Sequence, residues 1–191
     1  MKFSKRLVSI LLIIILLLPL IPIPFQSNQT SVSTAPLDLE INYDKYRSAQ
    51  SEQSEVNIQS IEQTIFDLVN ELREEENLTP VQSTDMLKAG AIIRAQESEE
   101  SFSHTRPDGK EPFTVLNEGD ILYNYQSVGE NLAMATYFME DAEMAHFLFD
   151  GWVESDGHYE TMVNPGFEEV GIDVHYDGEI IYATQLFGTQ K

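Results

Sequence analysis

"VGIDVHYDGEIIYATQLFG", from Val170 to Gly188, is the stretch whose reading decides the fold. In its first half Val170, Ile172, Val174 and Tyr176 alternate with Gly171, Asp173 and His175, the period of two expected of a strand with one face in a core. Asp177-Gly178 offers a type I′ turn, and "EIIYATQLFG" returns as a more continuously apolar, more deeply buried strand. The pattern predicts a β-hairpin with His175 on its outward face.

Working upstream, the period changes. Glu140 to Trp152 reads as a helix in which Ala142, Ala145, Phe149 and Trp152 recur at spacings of three and four, with Gly157 placed to end it or its extension. Ser101 to Asn131 is irregular: "RPDGK" is a turn, "EPFTVLNEG" one or two short helical turns, and "YQSVGENLA" loop or strand. Before it, Ser83, Thr84 or Asp85 can cap a helix running to about Glu100, with Leu87, Ala91, Arg94 and Ala95 on one side. The first helix starts at Ser60, which has capping-box spacing to Gln63, carries Ile61, Ile65, Leu68, Val69 and Leu72, and fades near Asn77 ahead of the Thr79-Pro80 break. Helices first, strands late and antiparallel, and no βαβ alternation predict an α+β domain over residues 59–191.

What precedes the domain has another character. Lys2, Lys5 and Arg6 are followed by an apolar run from Leu7 to Leu18, the layout of a secretory signal. Pro19, Pro22 and Pro24 then break a segment too short to span a bilayer. Residues 1–25 are thus expected to be a signal peptide or an uncleaved N-terminal anchor. Residues 26–58, rich in Ser, Gln, Asn and Thr, read as a flexible polar tether. The expected location is secreted and extracellular, with envelope anchoring if the leader stays. The chain has no cysteine, so stability must come from core burial rather than disulfides.

The charge balance narrows the partners. Of 11 basic residues three lie in the leader, which has no acidic one; the remainder, 8 basic against 32 acidic, carries −24. Such a surface repels nucleic acid and anionic lipid, leaving membrane contact to the leader alone. The acidic runs at Glu74 to Glu76 and Glu97 to Glu100 lack EF-hand spacing.

Three residues stand out for chemistry. His104 lies in the polar turn "SFSHTRPDGK" and His158 in "ESDGHYETM", read as a similar loop. Glu130 sits between Gly129 and Asn131, where the backbone can turn closely and an amide can orient a carboxylate. Each alone is ordinarily structural or solvated; His146 on a helix and His175 on the hairpin are weaker candidates still.

Together, "SHTRPDGK", "VGENLA", "GW..SDGHYETMVNPGFEEVGI" and the terminal "QLFG" occur in the order seen in the CAP superfamily, and the chain resembles its bacterial SCP/PR1-like branch from about Ile61 to Gly188. The resemblance implies an α-β-α sandwich, a small antiparallel sheet between helical layers, and a cleft lined by two histidines and acidic residues. Carried over by position, those groups are His104, Glu130 and His158. Where animal and plant members have a further glutamate, this chain has Ser155, with Glu154 beside it, leaving Glu97 or Glu154 as the fourth group.

The resemblance also frames the activities to weigh. Two imidazoles and a carboxylate could hold Zn²⁺ or another divalent cation weakly, with an open position. A His-dependent, protease-like hydrolase would need an activated nucleophile; Ser101, Ser103 and Ser155 lie near in sequence, but neither G-x-S-x-G nor HExxH occurs. A lipid or sterol carrier could use Tyr137, Phe138, Met139, Met144, Phe147 and Phe149, although a stripe at that spacing is usually core. The expected role is therefore non-enzymatic binding, of a small ligand, a lipid or a cell-envelope component.

Overall fold

The computed structural model describes residues 56–191; the leader and nearly all of the tether expected from the sequence lie outside them. Five helical segments and four strands follow in order: α1 (Ile58–Glu75), β1 (Gln82–Ser83), α2 (Asp85–Glu100), a 3₁₀ helix (Pro112–Asn117), β2 (Tyr125–Thr136), α3 (Asp141–Val153), α4 (Asp156–Met162), β3 (Glu169–Tyr176) and β4 (Ile180–Gln190). The strands form one sheet in the order β1-β3-β4-β2. β3, β4 and β2 are antiparallel, but the two-residue β1 runs parallel to β3, so the sheet is mixed rather than purely antiparallel.

Both faces of this sheet are covered, which makes the α-β-α sandwich. Val170, Ile172 and Val174 of β3 with Ile181, Ala183 and Phe187 of β4 pack against Ile61, Ile65 and Val69 of α1 and Met144, Leu148 and Trp152 of α3. On the other face Leu186 joins Leu87 and Ala91 of α2 and Val115 and Leu116 of the 3₁₀ helix. The positions between the apolar residues of β3 are therefore not solvated: Gly171 and Asp173 lie under α2. At Gly171 a Cβ would fall 2.1 Å from the carbonyl carbon of Leu87, so only glycine lets the helix backbone approach this closely.

Local chemistry moves several boundaries. The N-cap of α1 is Asn57, whose side chain accepts from the N–H of Ser60, and Val56 is already buried, so the domain starts slightly before residue 59. Asn77 ends that helix with a positive φ of 61°. The buried stripe of α3 is Met144, Ala145, Leu148, Phe149 and Trp152, while Ala142 is exposed. The hairpin turn is not type I′, since Gly178 (φ 108°) but not Asp177 has positive φ; the Asp177 carboxylate instead accepts from the N–H groups of Glu179 and Ile180.

Two buried polar contacts hold the elements that flank the site. The guanidinium of Arg73 donates to the carbonyls of Thr79, Met162, Asn164 and Phe167, tying α1 to the end of α4 and the turn after it. The indole N–H of Trp152 donates to the Leu132 carbonyl at 3.0 Å and fixes α3 beside β2. Among the described residues no helix is long and apolar enough to cross a membrane.

Candidate functional site

β2 is an edge strand and carries "VGENLAMAT" in extended form, not as a turn. Its alternation sends Glu130 toward α2 and Asn131 to the opposite face, toward α4. Glu130 is therefore not oriented by its neighbouring amide. Arg94 of α2, fully buried, grips it side-on, with Nε 2.7 Å from Oε2 and Nη2 3.2 Å from Oε1.

The same Oε1 lies 2.8 Å from Nδ1 of His104, whose side chain is 58% exposed. A buried carboxylate thus holds one ring nitrogen of an accessible imidazole and leaves Nε2 as the other. The loop that carries His104 is itself anchored. Arg94 donates to the Ser103 carbonyl at 2.7 Å, and Arg106, two residues after His104, reaches Glu97 (2.6 Å), Glu118 (2.6 Å) and Thr114 (2.9 Å).

Glu97 is accordingly occupied, one oxygen shared with Arg94 and both with Arg106. Both of its oxygens are thus engaged by buried arginines. Glu154 follows the last residue of α3 and is exposed.

His158 lies in the first turn of α4, not in a loop. The chain breaks at Glu154 and Ser155 and starts a new helix that includes Gly157, so this glycine ends nothing. Asn131 secures that turn by donating from Nδ2 to the His158 carbonyl at 3.0 Å and to Gln185 Oε1 at 3.0 Å. Burial first, and the charge of His104 second, push the His158 imidazole below its ordinary value of 6.5.

The structure thus brings His104 onto Glu130 from two separate segments, while His158 stands at the start of α4, in the turn that Asn131, the next residue of β2, holds. Among the described residues no three His, Asp or Glu side chains stand grouped as a ready metal-binding set. A groove of about 560 Å³ lies elsewhere, along Lys110, Phe113, Asn117 and Tyr125, and includes none of the three. His146 is exposed on α3. His175 is not outward but half-buried under α2, 2.5 Å from Glu99 and stacked on Tyr182.

Sequence reasoning passed over Arg94. It sits at the center of the site, yet by sequence it has only a place on one side of its helix with Leu87, Ala91 and Ala95. The available signal was that one cation recurs at core spacing beside Ala91 and Ala95, both buried.

Residues 66–187 match the model of the cysteine-rich secretory protein (CAP) family. The chain is 27% identical over 164 residues to the uncharacterized protein YkwD of Bacillus subtilis, covering 85% of this chain and 58% of that protein's length. Among solved structures it is similar to an extracellular SCP-domain protein of Bacillus anthracis, with 27% identity, TM-score 0.57, and coverage of 70% of this chain and 41% of the other. A cysteine-rich secretory protein of Staphylococcus aureus (21%, TM-score 0.56, 71% and 40%) and NaASP2, solved with Zn²⁺ (16%, TM-score 0.51, 73% and 82%), share the fold. Edge-strand glutamate, loop histidine and helix-start histidine therefore stand in a scaffold with known relatives, and the chain belongs to the cysteine-rich secretory protein (CAP) family.

Proposed function

We propose that this is an exported, non-enzymatic binding domain whose His104, Glu130 and His158 take a divalent cation or a small polar ligand. The observation that carries the reading is the bond between Glu130 and Nδ1 of His104, backed by buried Arg94. A carboxylate behind an imidazole fixes its tautomer and ring orientation, the usual outer support of a metal-binding histidine.

The donor set fits a cation with two protein ligands. His104 Nε2 and the ring of His158 would be the ligands, Glu130 would stay behind His104, and Glu154 is the remaining carboxylate candidate. Zn²⁺ bound there would supply an open coordination position for a ligand donor. Two imidazoles without a third strong ligand make such binding weak and reversible. A neutral His158 favours it, because an imidazole binds a metal only when deprotonated. The Zn²⁺ in the NaASP2 structure is consistent with this reading. Export is supported by the leader pattern and by the extracellular B. anthracis relative.

Calorimetry with Zn²⁺ tests the proposal. Heat of binding to the native protein, absent in a His104→Ala, His158→Ala double variant, is the expected result; equal heats for the two would end it.

A second reading is favoured by one observation. The stripe offered for a lipid carrier divides: Met144 and Phe149 are core, whereas Phe138 and Phe147 are exposed and meet edge to face at 5.6 Å. An apolar ligand would dock on that pair. Vesicle or fatty-acid binding lost in Phe138→Asp would support it, and no binding by the native protein would exclude it.

A further inference from the structure

Away from the histidines, two aromatic rings and a rim of hydrogen-bonding groups frame the groove of about 560 Å³, a volume within the ~300–1,000 Å³ of small-ligand sites. Phe113 stands in the 3₁₀ helix, where Pro112, Val115 and Leu116 turn into the core and leave Phe113, Thr114 and Asn117 on the groove. Tyr125 opens β2. Strict alternation would set it on the face opposite Val128, three residues on, yet both pack against the core of Leu87 and Leu116. The bulge between Tyr125 and Ser127 makes the difference and re-aims the ring. Both rings are half-buried and backed by that core, so they are fixed walls.

The polar groups of the groove are of two kinds. Glu118 and Thr114 are occupied by Arg106, which reaches them at 2.6 Å and 2.9 Å. The Glu111 carboxylate, the Asn117 carboxamide and the Tyr125 hydroxyl have no hydrogen-bonding partner among the described residues. Lys110, with Asp108 at 2.6 Å and Glu118 at 3.5 Å, keeps a third hydrogen. A carboxylate only accepts, an ammonium only donates and a carboxamide does each at its own end, so a ligand that answers them all must both donate and accept at neighbouring atoms, as hydroxyls do. Charge points the same way. In a chain of 32 acidic and 11 basic residues, Arg106 and Lys110 both stand here against Asp108, Glu111 and Glu118, which brings the groove close to electrical balance. An anion would meet the field of the whole protein and a cation the local Lys110. We propose that the groove binds an uncharged oligosaccharide, its sugar rings laid with their C–H faces on Phe113 and Tyr125 and its hydroxyls bonded to Lys110, Glu111 and Asn117.

NMR titration of the full-length protein with maltotriose, cellotriose and triacetylchitotriose tests this. At least one of the three should shift the amide signals of Phe113, Asn117 and Tyr125 in a saturable way, with affinity lowered about tenfold or more in Tyr125→Ala, which removes one aromatic wall. Because Tyr125 also packs on the core, Asn117→Ala at an exposed position is the second variant; it should weaken binding while leaving thermal unfolding unchanged. Absence of saturable shifts at these residues with all three sugars, or native affinity in both variants, overturns the proposal. A lysine-rich peptide or a fatty acid that shifts the same signals where the sugars do not overturns it as well.

Discussion

Arg94 and Glu130 meet side-on inside the protein, Nε 2.7 Å from Oε2 and Nη2 3.2 Å from Oε1, with essentially no exposure of either side chain. The pair links α2 to the edge strand β2, and its carboxylate carries His104. Desolvating both ions is costly and is offset only while they remain bonded to each other and to Ser103, Glu97 and His104.

Removing the cation should therefore be severe. Arg94→Met is expected to destabilise the domain by about 3–5 kcal/mol in urea unfolding, because it leaves Glu130 buried and unpaired. Arg94→Lys should recover little of this, lacking the planar fork that serves Glu130, Glu97 and Ser103 together. A loss below about 1 kcal/mol for Arg94→Met would show that the pair is not integral to the site.

A contact under the opposite end of α2 gives a steric prediction. Gly171→Ala would place a methyl 2.1 Å from the backbone of Leu87, and backbone cannot swing aside as a side chain does. The expected loss is about 3 kcal/mol or more. Unchanged thermal unfolding would contradict the close approach of α2 to β3.

These two positions also show what the chain discloses on its own. The hairpin is legible because Val170, Ile172 and Val174 alternate with smaller or polar residues and Gly178 marks the turn. That its other face is buried too is not legible, since Gly171 and Asp173 resemble solvent positions until α2 is laid across them. "YQSVGENLA" was open between loop and strand because a glutamate and an asparagine interrupt its apolar character; as a strand it depends on Arg94, 36 residues earlier, to neutralise Glu130. The two histidines and the glutamate stand out in the sequence through their motifs and order. Their supports, Arg94, Arg106 and Asn131, act across the fold, and local patterns carry no record of such partners.

His158 should titrate below 6.5, and His104→Gln should move it only part of the way back, because burial is the larger cause and the His104 charge the lesser. The sign for stability follows. This histidine costs nothing above pH 6.5, its unfolded value, and destabilises progressively as pH falls toward its folded value. Proton NMR of the ring Cε1–H across that range checks both; a His158 midpoint at or above 6.5 would contradict them.

Phe138→Asp should leave folding stability within about 0.5 kcal/mol, since this ring is 63% exposed. It should also leave Zn²⁺ binding intact, as the ring that Phe138 meets is that of Phe147. Loss of Zn²⁺ binding in this variant would mean that the aromatic pair and the histidines are not separate surfaces.

The most direct test of a shared site is to follow the ring signals of His104 and His158 by NMR during one Zn²⁺ titration of the native protein and of Glu130→Gln. Both rings are expected to respond together with a single stoichiometry, with affinity weakened by about 10- to 100-fold in the variant. Rings that respond at different Zn²⁺ concentrations, or only one that responds, would contradict a common site.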